Sequence, residues 1–279
     1  MALLQKAYLG STALFRNTSF FEDNAATLVN STTGASVTAS ASTHTKGSWS
    51  QLLASTSANA SLLVIAVNNF ANATDTSSLL DIGTGASGSE TALISNIAIG
   101  GHGTTNANAS VYFPVPIKIA SGTRIAARIQ SVVASRVATV RIYLIDTGDY
   151  NQAPTSVDVI GTDTATSNGT LMSGASGTWV QVTSSTSRAY RAVTIVPSLA
   201  SNDVANIQPM EYALATGASG SEVEIGKMES DTSVSEFVCI RPSLSPLIAK
   251  NIASGTRLAI KHNIPANPSR YGVTLIGIP

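Results

Sequence analysis

Thr84-Gly-Ala-Ser-Gly-Ser-Glu90 recurs letter for letter as Thr216-Gly-Ala-Ser-Gly-Ser-Glu222. Around it the chain repeats itself in order. Ile119-Ala-Ser-Gly-Thr-Arg124 returns as Ile252-Ala-Ser-Gly-Thr-Arg257. Gly47-Ser-Trp49-Ser-Gln51 matches Gly177-Thr-Trp179-Val-Gln181, and Ser55-Thr-Ser57 matches Ser185-Thr-Ser187. The offset is 130 residues at the tryptophans, 132 at the glycine-rich copy and 133 from the arginine motif to the closing strands, where Val140 aligns with Val273 and Ile142 with Leu275. Compositional bias in a Ser/Gly/Ala-rich chain produces an isolated match; it does not place four in order at a nearly constant spacing. The chain therefore reads as two homologous domains of about 125 residues each.

The strand signals are clear. Val140, Ile142 and Leu144 alternate with Thr139, Arg141 and Tyr143; Ile125, Ala127 and Ile129 alternate with Arg124, Ala126, Arg128 and Gln130; Leu258 and Ile260 alternate with Arg257, Ala259 and Lys261. A period of two places one face in a core and the other in water. Gly/Ser/Asn clusters punctuate these runs at the short intervals of an all-β sandwich or barrel. Thr84–Glu90 reads as a tight turn, and Pro114 and Pro116 predict an edge strand or a strand entry, because proline cannot donate to a ladder. The best helix candidate is the short stretch Ala2–Tyr8. The expected architecture is all-β: two tandem homologous antiparallel β-sandwich, jelly-roll-like domains of roughly eight strands each. Residues 1–43 form an N-terminal arm plus the first strand or strands of domain 1, residues 44–146 the first sandwich, residues 147–155 a linker, and residues 156–279 the second sandwich.

Composition narrows the function. Sixteen Lys and Arg balance sixteen Asp and Glu in 279 residues, and charged residues are only 11%. No basic excess is available to neutralise a phosphate backbone, so nucleic acid is not an expected partner. The single cysteine, Cys239, excludes a disulfide scaffold. The start, MALLQKAYLGSTALF, is interrupted by Lys6, Gly10, Ser11 and Thr12 and does not read as a signal peptide. The longest apolar run, Leu62–Val67, is of strand length, so membrane insertion is not expected.

The search for chemistry yields little. His44, His102 and His262 lie far apart, without metal-ligand spacing, and Cys239 has no partner thiol. Asp81, Asp146 and Asp149 form no recognisable calcium loop. Glu222 and Glu224 sit two apart, so both face one side of a strand, but Glu224 aligns with Ala92 in the first copy; a solvated strand face is the expectation, not an acid–base pair. No catalytic residue, metal site or cofactor is expected. Trp49 and Trp179, equivalent in the two copies, read as core residues that set sheet packing, with a sugar-stacking platform as the alternative. Arg124 and Arg128, repeated as Arg257 and Lys261, give each domain a small basic ledge. It is either an ordinary solvated face or a subunit contact at which these cations meet a neighbour's carboxylates. Phe15, Phe20 and Phe21 lie in the N-terminal arm; they either cap the core of domain 1 or dock on a neighbouring subunit.

Gly85–Glu90, Tyr112-Phe-Pro-Val-Pro-Ile117 and Ile119-Ala-Ser-Gly-Thr-Arg-Ile-Ala-Ala-Arg128 together resemble repeats of tailed-bacteriophage virion structural proteins. The second copy keeps the first and third pieces and departs at 237–251, which is longer and lacks the close Pro-x-Pro spacing. The resemblance implies a β-sandwich protein of the particle surface or tail, and brings no catalytic residues. The expected function is a non-enzymatic structural protein of a phage particle: a capsid decoration or cement protein, a head spike or a tail component. The alternative is a carbohydrate-binding adhesion or receptor-binding module, for which a host surface glycan would be the partner. A glycan depolymerase is the weakest of the three readings, for want of an acid pair shared by both copies. Expected partners are other virion proteins and further copies of the chain, and the expected location is the virion, after synthesis in the host cytoplasm.

Overall fold

The computed structural model describes residues 34–68, 77–100, 111–146, 150–172, 175–199, 208–232, 248–263 and 271–279. The candidate helix Ala2–Tyr8, the arm phenylalanines Phe15, Phe20 and Phe21, His102, Asp149 and Cys239 lie outside the described residues.

Among the described residues the first half folds as eight antiparallel strands: β1 (Ala35–Thr38), β2 (Ser50–Leu53), β3 (Ala60–Asn68), β4 (Ser78–Thr84), β5 (Thr91–Ile99), β6 (Val111–Ile119), β7 (Ile125–Ser131) and β8 (Val137–Ile145). They form two four-stranded sheets, ordered β1-β8-β3-β6 and β2-β7-β4-β5. Consecutive strands alternate between the sheets except at the β4–β5 hairpin, which is the jelly-roll winding. The proline-bearing strand β6 lies at a sheet edge, where a missing N–H costs least.

The second half contributes β9 (Asp158–Ile160), β10 (Thr162–Asp163), β11 (Asn168–Leu171), β12 (Val180–Thr183), β13 (Ala192–Leu199), β14 (Gln208–Thr216), β15 (Val223–Thr232), β16 (Leu258–His262) and β17 (Tyr271–Ile278). Its sheets are β10-β11-β17-β13, with β9 also on β17, and β12-β16-β14-β15. The registers repeat those of the first half. Gln51 pairs with Ala126 and Gln181 with Ala259, each followed by a bulge. Thr84 pairs with Ile125 and Thr216 with Leu258. Val67 pairs with Val140 and Pro197 with Val273. The drift in offset seen along the sequence is thus the structural equivalence itself. The copies differ where β6 stands in the first half: among the described residues the second has only the bridges Val193–Ile248 and Tyr190–Ile252 at that edge.

The alternation Val140/Ile142/Leu144 points into a core of Val, Ile, Leu and Ala. The second core keeps the plan with different volumes. Tyr190, Tyr212 and Tyr271 are fully buried there, at positions equivalent to Ala60, Leu80 and Ala138. The space for Tyr190 comes from Gly277, where a Cβ would lie 2.7 Å from the ring. The equivalent residue in the first copy is Leu144, so a small–large pair has become a large–small pair at nearly conserved volume.

The two sandwiches share apolar packing. Ala192, Val196, Ile276 and Ile278, on the outer face of the β13–β17 pair, join the same buried cluster as Ile97 and Ile99 of β5, with Val157 between. Polar ties flank this contact. Between β9 and β11, which both pair with β17, the chain leaves the sheet as the β10–β11 hairpin and reaches the first sandwich. Thr162 Oγ1 donates to the Asn96 carbonyl at 2.9 Å. Gln130 Nε2 donates to the Thr164 carbonyl at 2.8 Å and to Ser167 Oγ at 3.1 Å. His44 Nδ1 meets Ser167 Oγ at 3.0 Å, and Ser77 Oγ bonds Asn168 Oδ1. The connection between the halves is also anchored, through the Lys118 N–H to the Pro154 carbonyl at 2.7 Å.

Candidate functional site

The repeated letters converge in space. In the first sandwich, Arg124 Nη1 donates to Glu90 Oε1 at 2.8 Å and to the Gly85 carbonyl at 3.1 Å, while its Nε donates to Gln51 Oε1 at 3.0 Å. The Gly88 N–H donates to Glu90 Oε2 at 2.8 Å. In the second, Arg257 makes the same three contacts, to Glu222 at 3.0 Å, Gly217 at 2.9 Å and Gln181 at 2.9 Å, and the Gly220 N–H meets Glu222 Oε2 at 2.9 Å. The glycine-rich turn, the arginine motif and the Trp-x-Gln motif are therefore one network that fastens a hairpin turn to its neighbouring strands. The turn needs its glycines at the ends: Gly85 and Gly217 have φ of 117° and 109°, and a Cβ there would meet the carbonyl of Ser89 or Ser221. Burial alone would raise the Glu90 and Glu222 carboxyls. The N–H donors and the arginine outweigh it and hold both pKa values below the ordinary carboxylate value.

This corrects the sequence reading of the acids. The Glu222 side chain is 5% exposed and paired with Arg257, so it is no solvated strand face. Glu224 pairs separately, with Lys261 Nζ at 3.2 Å and Lys227 Nζ at 3.8 Å. The basic ledge is likewise neither free nor plainly solvated: Arg124, Arg128, Arg257 and Lys261 all find carboxylates within the chain.

The tryptophans are also corrected. Trp49 and Trp179 are half-buried, not core. Trp49 lies under the Arg128 guanidinium, 4.4 Å from the ring centroid, and Trp179 under Lys261 Nζ at 4.6 Å. Trp49 also lies on Gly83, where a Cβ would come within 2.6 Å of the indole. Strand alternation explains this: the Trp precedes a strand whose inward positions are already taken, so the indole covers the outer face and is closed by a cation. An indole capped in this way is not an open platform for a sugar ring.

Beside Trp49 lies a polar centre that the sequence reading missed. Asp81 interrupts the apolar run of β4, and its side chain is 1% exposed. Its carboxylate accepts from Lys46 Nζ at 2.6 Å, Arg128 Nε at 2.8 Å and the Asn96 N–H at 2.8 Å. Lys46 Nζ also lies 2.6 Å from Asn96 Oδ1. The signal available in the sequence was a mismatch between copies: Asp81 aligns with Ala213 and Lys46 with Ser176.

An open cleft of about 930 Å³ lies beside the junction of the halves and is lined by both. Leu93, Ser95 and Asn96 line one side; Val159, Thr170, Leu171 and Val182 line the other. At one end Arg188 grips Asp158 in a bidentate pair, at 2.7 and 3.0 Å, and Tyr190 Oη donates to the same carboxylate at 2.7 Å. Burial pushes the Asp158 carboxyl up, and these donors outweigh it, so its pKa lies below the ordinary value. Burial and the adjoining carboxylate raise the Tyr190 phenol. Asp163, on the cleft wall, is engaged by the Ala165 N–H and Thr166 Oγ1 of its own turn. His262 is buried in β16, and burial lowers its pKa. Among the described residues no group of three or more His, Cys, Asp or Glu is placed to hold a metal ion, and no helix is long and apolar enough to cross a membrane.

No protein-family model and no curated protein matches the chain. Among solved structures it is similar to the STIV MCP, a viral major capsid protein, at 11% identity and TM-score 0.32, covering 91% of this chain and 95% of that one. It is also similar to a triple-jelly-roll turret protein of an archaeal virus, at 13% identity and TM-score 0.20, covering 88% and 58%. A third is the tandem CBM22-1–CBM22-2 domain of Paenibacillus barcinonensis Xyn10C, at 9% identity and TM-score 0.24, covering 92% and 97%.

Proposed function

We propose that this chain is a non-enzymatic structural protein of a virus particle, that the particle is a tailed bacteriophage, and that the chain serves there as a capsid decoration, head spike or tail component. One observation carries the reading. The polar residues repeated in both halves close on each other, Gln to Arg to Glu to backbone, and hold turns in place instead of framing an open reactive site. Two jelly rolls joined by a packed junction make a stiff building element, which suits symmetric assembly with further copies and other virion proteins. Residues 1–43 are proposed to hold an N-terminal arm plus the first strand of domain 1, the arm carrying Phe15, Phe20 and Phe21 to a neighbouring subunit, and 147–155 is the proposed linker between the domains. Washed virions of the source phage, digested and measured by mass spectrometry, should contain the chain at many copies per particle. Its absence from washed particles ends this reading.

A carbohydrate-binding module is the second reading, favoured by the hydroxyl-lined cleft between the sandwiches. A glycan array separates the two: binding that Leu171→Trp, which puts a bulky ring on the cleft wall, weakens would support the module, and an array with no binder would remove it.

A further inference from the structure

Three residues of the first sandwich meet at hydrogen-bond distance, and the second sandwich lacks them as a set. Lys46 Nζ is 2.6 Å from Asn96 Oδ1 and 2.6 Å from Asp81 Oδ1. Asn96 is held from both sides of its backbone: its N–H donates to Asp81 Oδ1 at 2.8 Å, and its carbonyl accepts Thr162 Oγ1 at 2.9 Å. It sits at φ 63°, in a bulge where Leu80 pairs with Ile97 and Ile82 with Ile94. In the second sandwich the corresponding register, Tyr212 with Met228 and Leu214 with Gly226, runs without that extra residue. There Lys46 is replaced by Ser176 and Asp81 by Ala213. Amine, carboxylate and inserted carboxamide are thus present together or absent together.

We propose that Lys46 and Asn96 condense to an intramolecular isopeptide bond, with Asp81 as the proton carrier. Asp81 takes a proton from the Lys46 ammonium, and the neutral amine attacks Asn96 Cγ. As the tetrahedral adduct collapses, Asp81 passes its proton to Nδ2 and the Cγ–Nδ2 bond breaks. The second proton of the attacking nitrogen follows through Asp81 to the departing ammonia. Lys46–NH₃⁺ and Asn96–CONH₂ become Lys46–NH–CO–Asn96 and NH₄⁺, Asp81 returns to the carboxylate, and no oxidation state changes.

The surroundings favour each step. Burial lowers the Lys46 pKa, with the nearby Arg128 cation adding to the effect and Asp81 opposing it, so the neutral amine is more accessible than on an open lysine. Arg128 fixes the Asp81 carboxylate and is itself stacked on Trp49. The bulge and the Thr162 contact hold the carboxamide in place, so the attack proceeds between pre-positioned groups. The product would be a covalent staple across a whole sheet. Lys46 lies on the segment that precedes β2 and runs along β7, where the Gly47 N–H bonds the Ile129 carbonyl. Asn96 lies in β5 at the other edge of the order β2-β7-β4-β5, 50 residues away in the chain.

Intact-mass spectrometry of the purified, folded full-length chain under denaturing conditions tests this directly. The expected mass is lighter than the sequence mass by one ammonia. The tryptic digest should contain one branched peptide joining Lys46 to Asn96, with no cleavage after Lys46. Lys46→Arg should restore the missing ammonia to the expected variant mass and melt at a lower temperature. Asp81→Asn, if folded, should form the bond far more slowly. Full mass in the folded wild type, with cleavage after Lys46, overturns the proposal. So does an ammonia deficit that persists in Lys46→Arg, which would mark cyclisation of an asparagine. Bond formation at the wild-type rate in Asp81→Asn overturns the role given to that carboxylate.

Discussion

Arg124 donates to Glu90 at 2.8 Å across the β4–β5 turn, and Arg257 repeats the contact with Glu222 at 3.0 Å in the other half of the chain. Each arginine also holds a turn carbonyl and a glutamine of the neighbouring strand, so its planar fork has three separate jobs. A lysine ammonium is a compact point charge and cannot span them. Arg124→Lys and Arg257→Lys are therefore expected to lower the melting temperature by a few degrees, nearly as much as the alanine variants. Calorimetry on the four single variants checks this; lysine variants that melt like wild type would show that charge alone suffices.

The Tyr190–Gly277 pair offers a packing test. Gly277→Ala places a methyl 2.7 Å from a buried ring and is expected to cost about 1–3 kcal/mol. Tyr190→Ala leaves a cavity and is expected to cost about 3–5 kcal/mol. The double variant Tyr190→Ala with Gly277→Leu recreates the Ala60/Leu144 arrangement of the first half, and should recover part of the loss. Chemical denaturation of the set gives the coupling energy; strict additivity would mean that the two sites do not share one volume.

At the junction, Gln130 is buried and its amide serves the Thr164 carbonyl and Ser167 Oγ. Gln130→Leu leaves those groups without the donor and is expected to cost about 1–3 kcal/mol. Because the contact joins the two halves, the loss should show as a broadened or split unfolding transition. A sharp transition shifted only in midpoint would place the damage inside the first sandwich.

Acid should weaken the fold in two stages. The folded pKa of His262 lies below its ordinary value of about 6.5. The folded state therefore binds fewer protons there than the unfolded chain, and stability falls as pH drops below that value. Glu90, Glu222 and Asp158 are also depressed. Their contribution is complete above the ordinary carboxylate range of about 4 and is lost as pH falls through their lower folded values. Melting temperature followed from pH 7 to pH 3 checks the order, and His262→Gln should remove the first stage alone.

Much of the fold was legible in the letters because two kinds of signal are local. Period-two alternation in Val140–Leu144 records which face is buried, and the drift from 130 to 133 between copies records which strands are equivalent. Ile125–Ser131, expected to have one wet face, is instead buried on both faces apart from Arg128, because the second half covers its outer side at Gln130. The chemistry was less legible. Trp49 reads as a core residue until the strand register shows its indole on the outer face, closed by Arg128. Asp81 reads as an isolated acid until the segment before β2, with β7 and β5, brings Lys46, Arg128 and Asn96 around it.

The order of letters by itself determined the strand periodicity, the tandem duplication and the turn positions, because these depend on residues near one another in the chain or on copies of the same segment. The tertiary structure alone decided that four repeated motifs are one network, that the basic residues pair within the chain, and that Lys46 touches Asn96. Those contacts join segments tens of residues apart, and only the pairing of strands in a sheet brings such segments to hydrogen-bond distance.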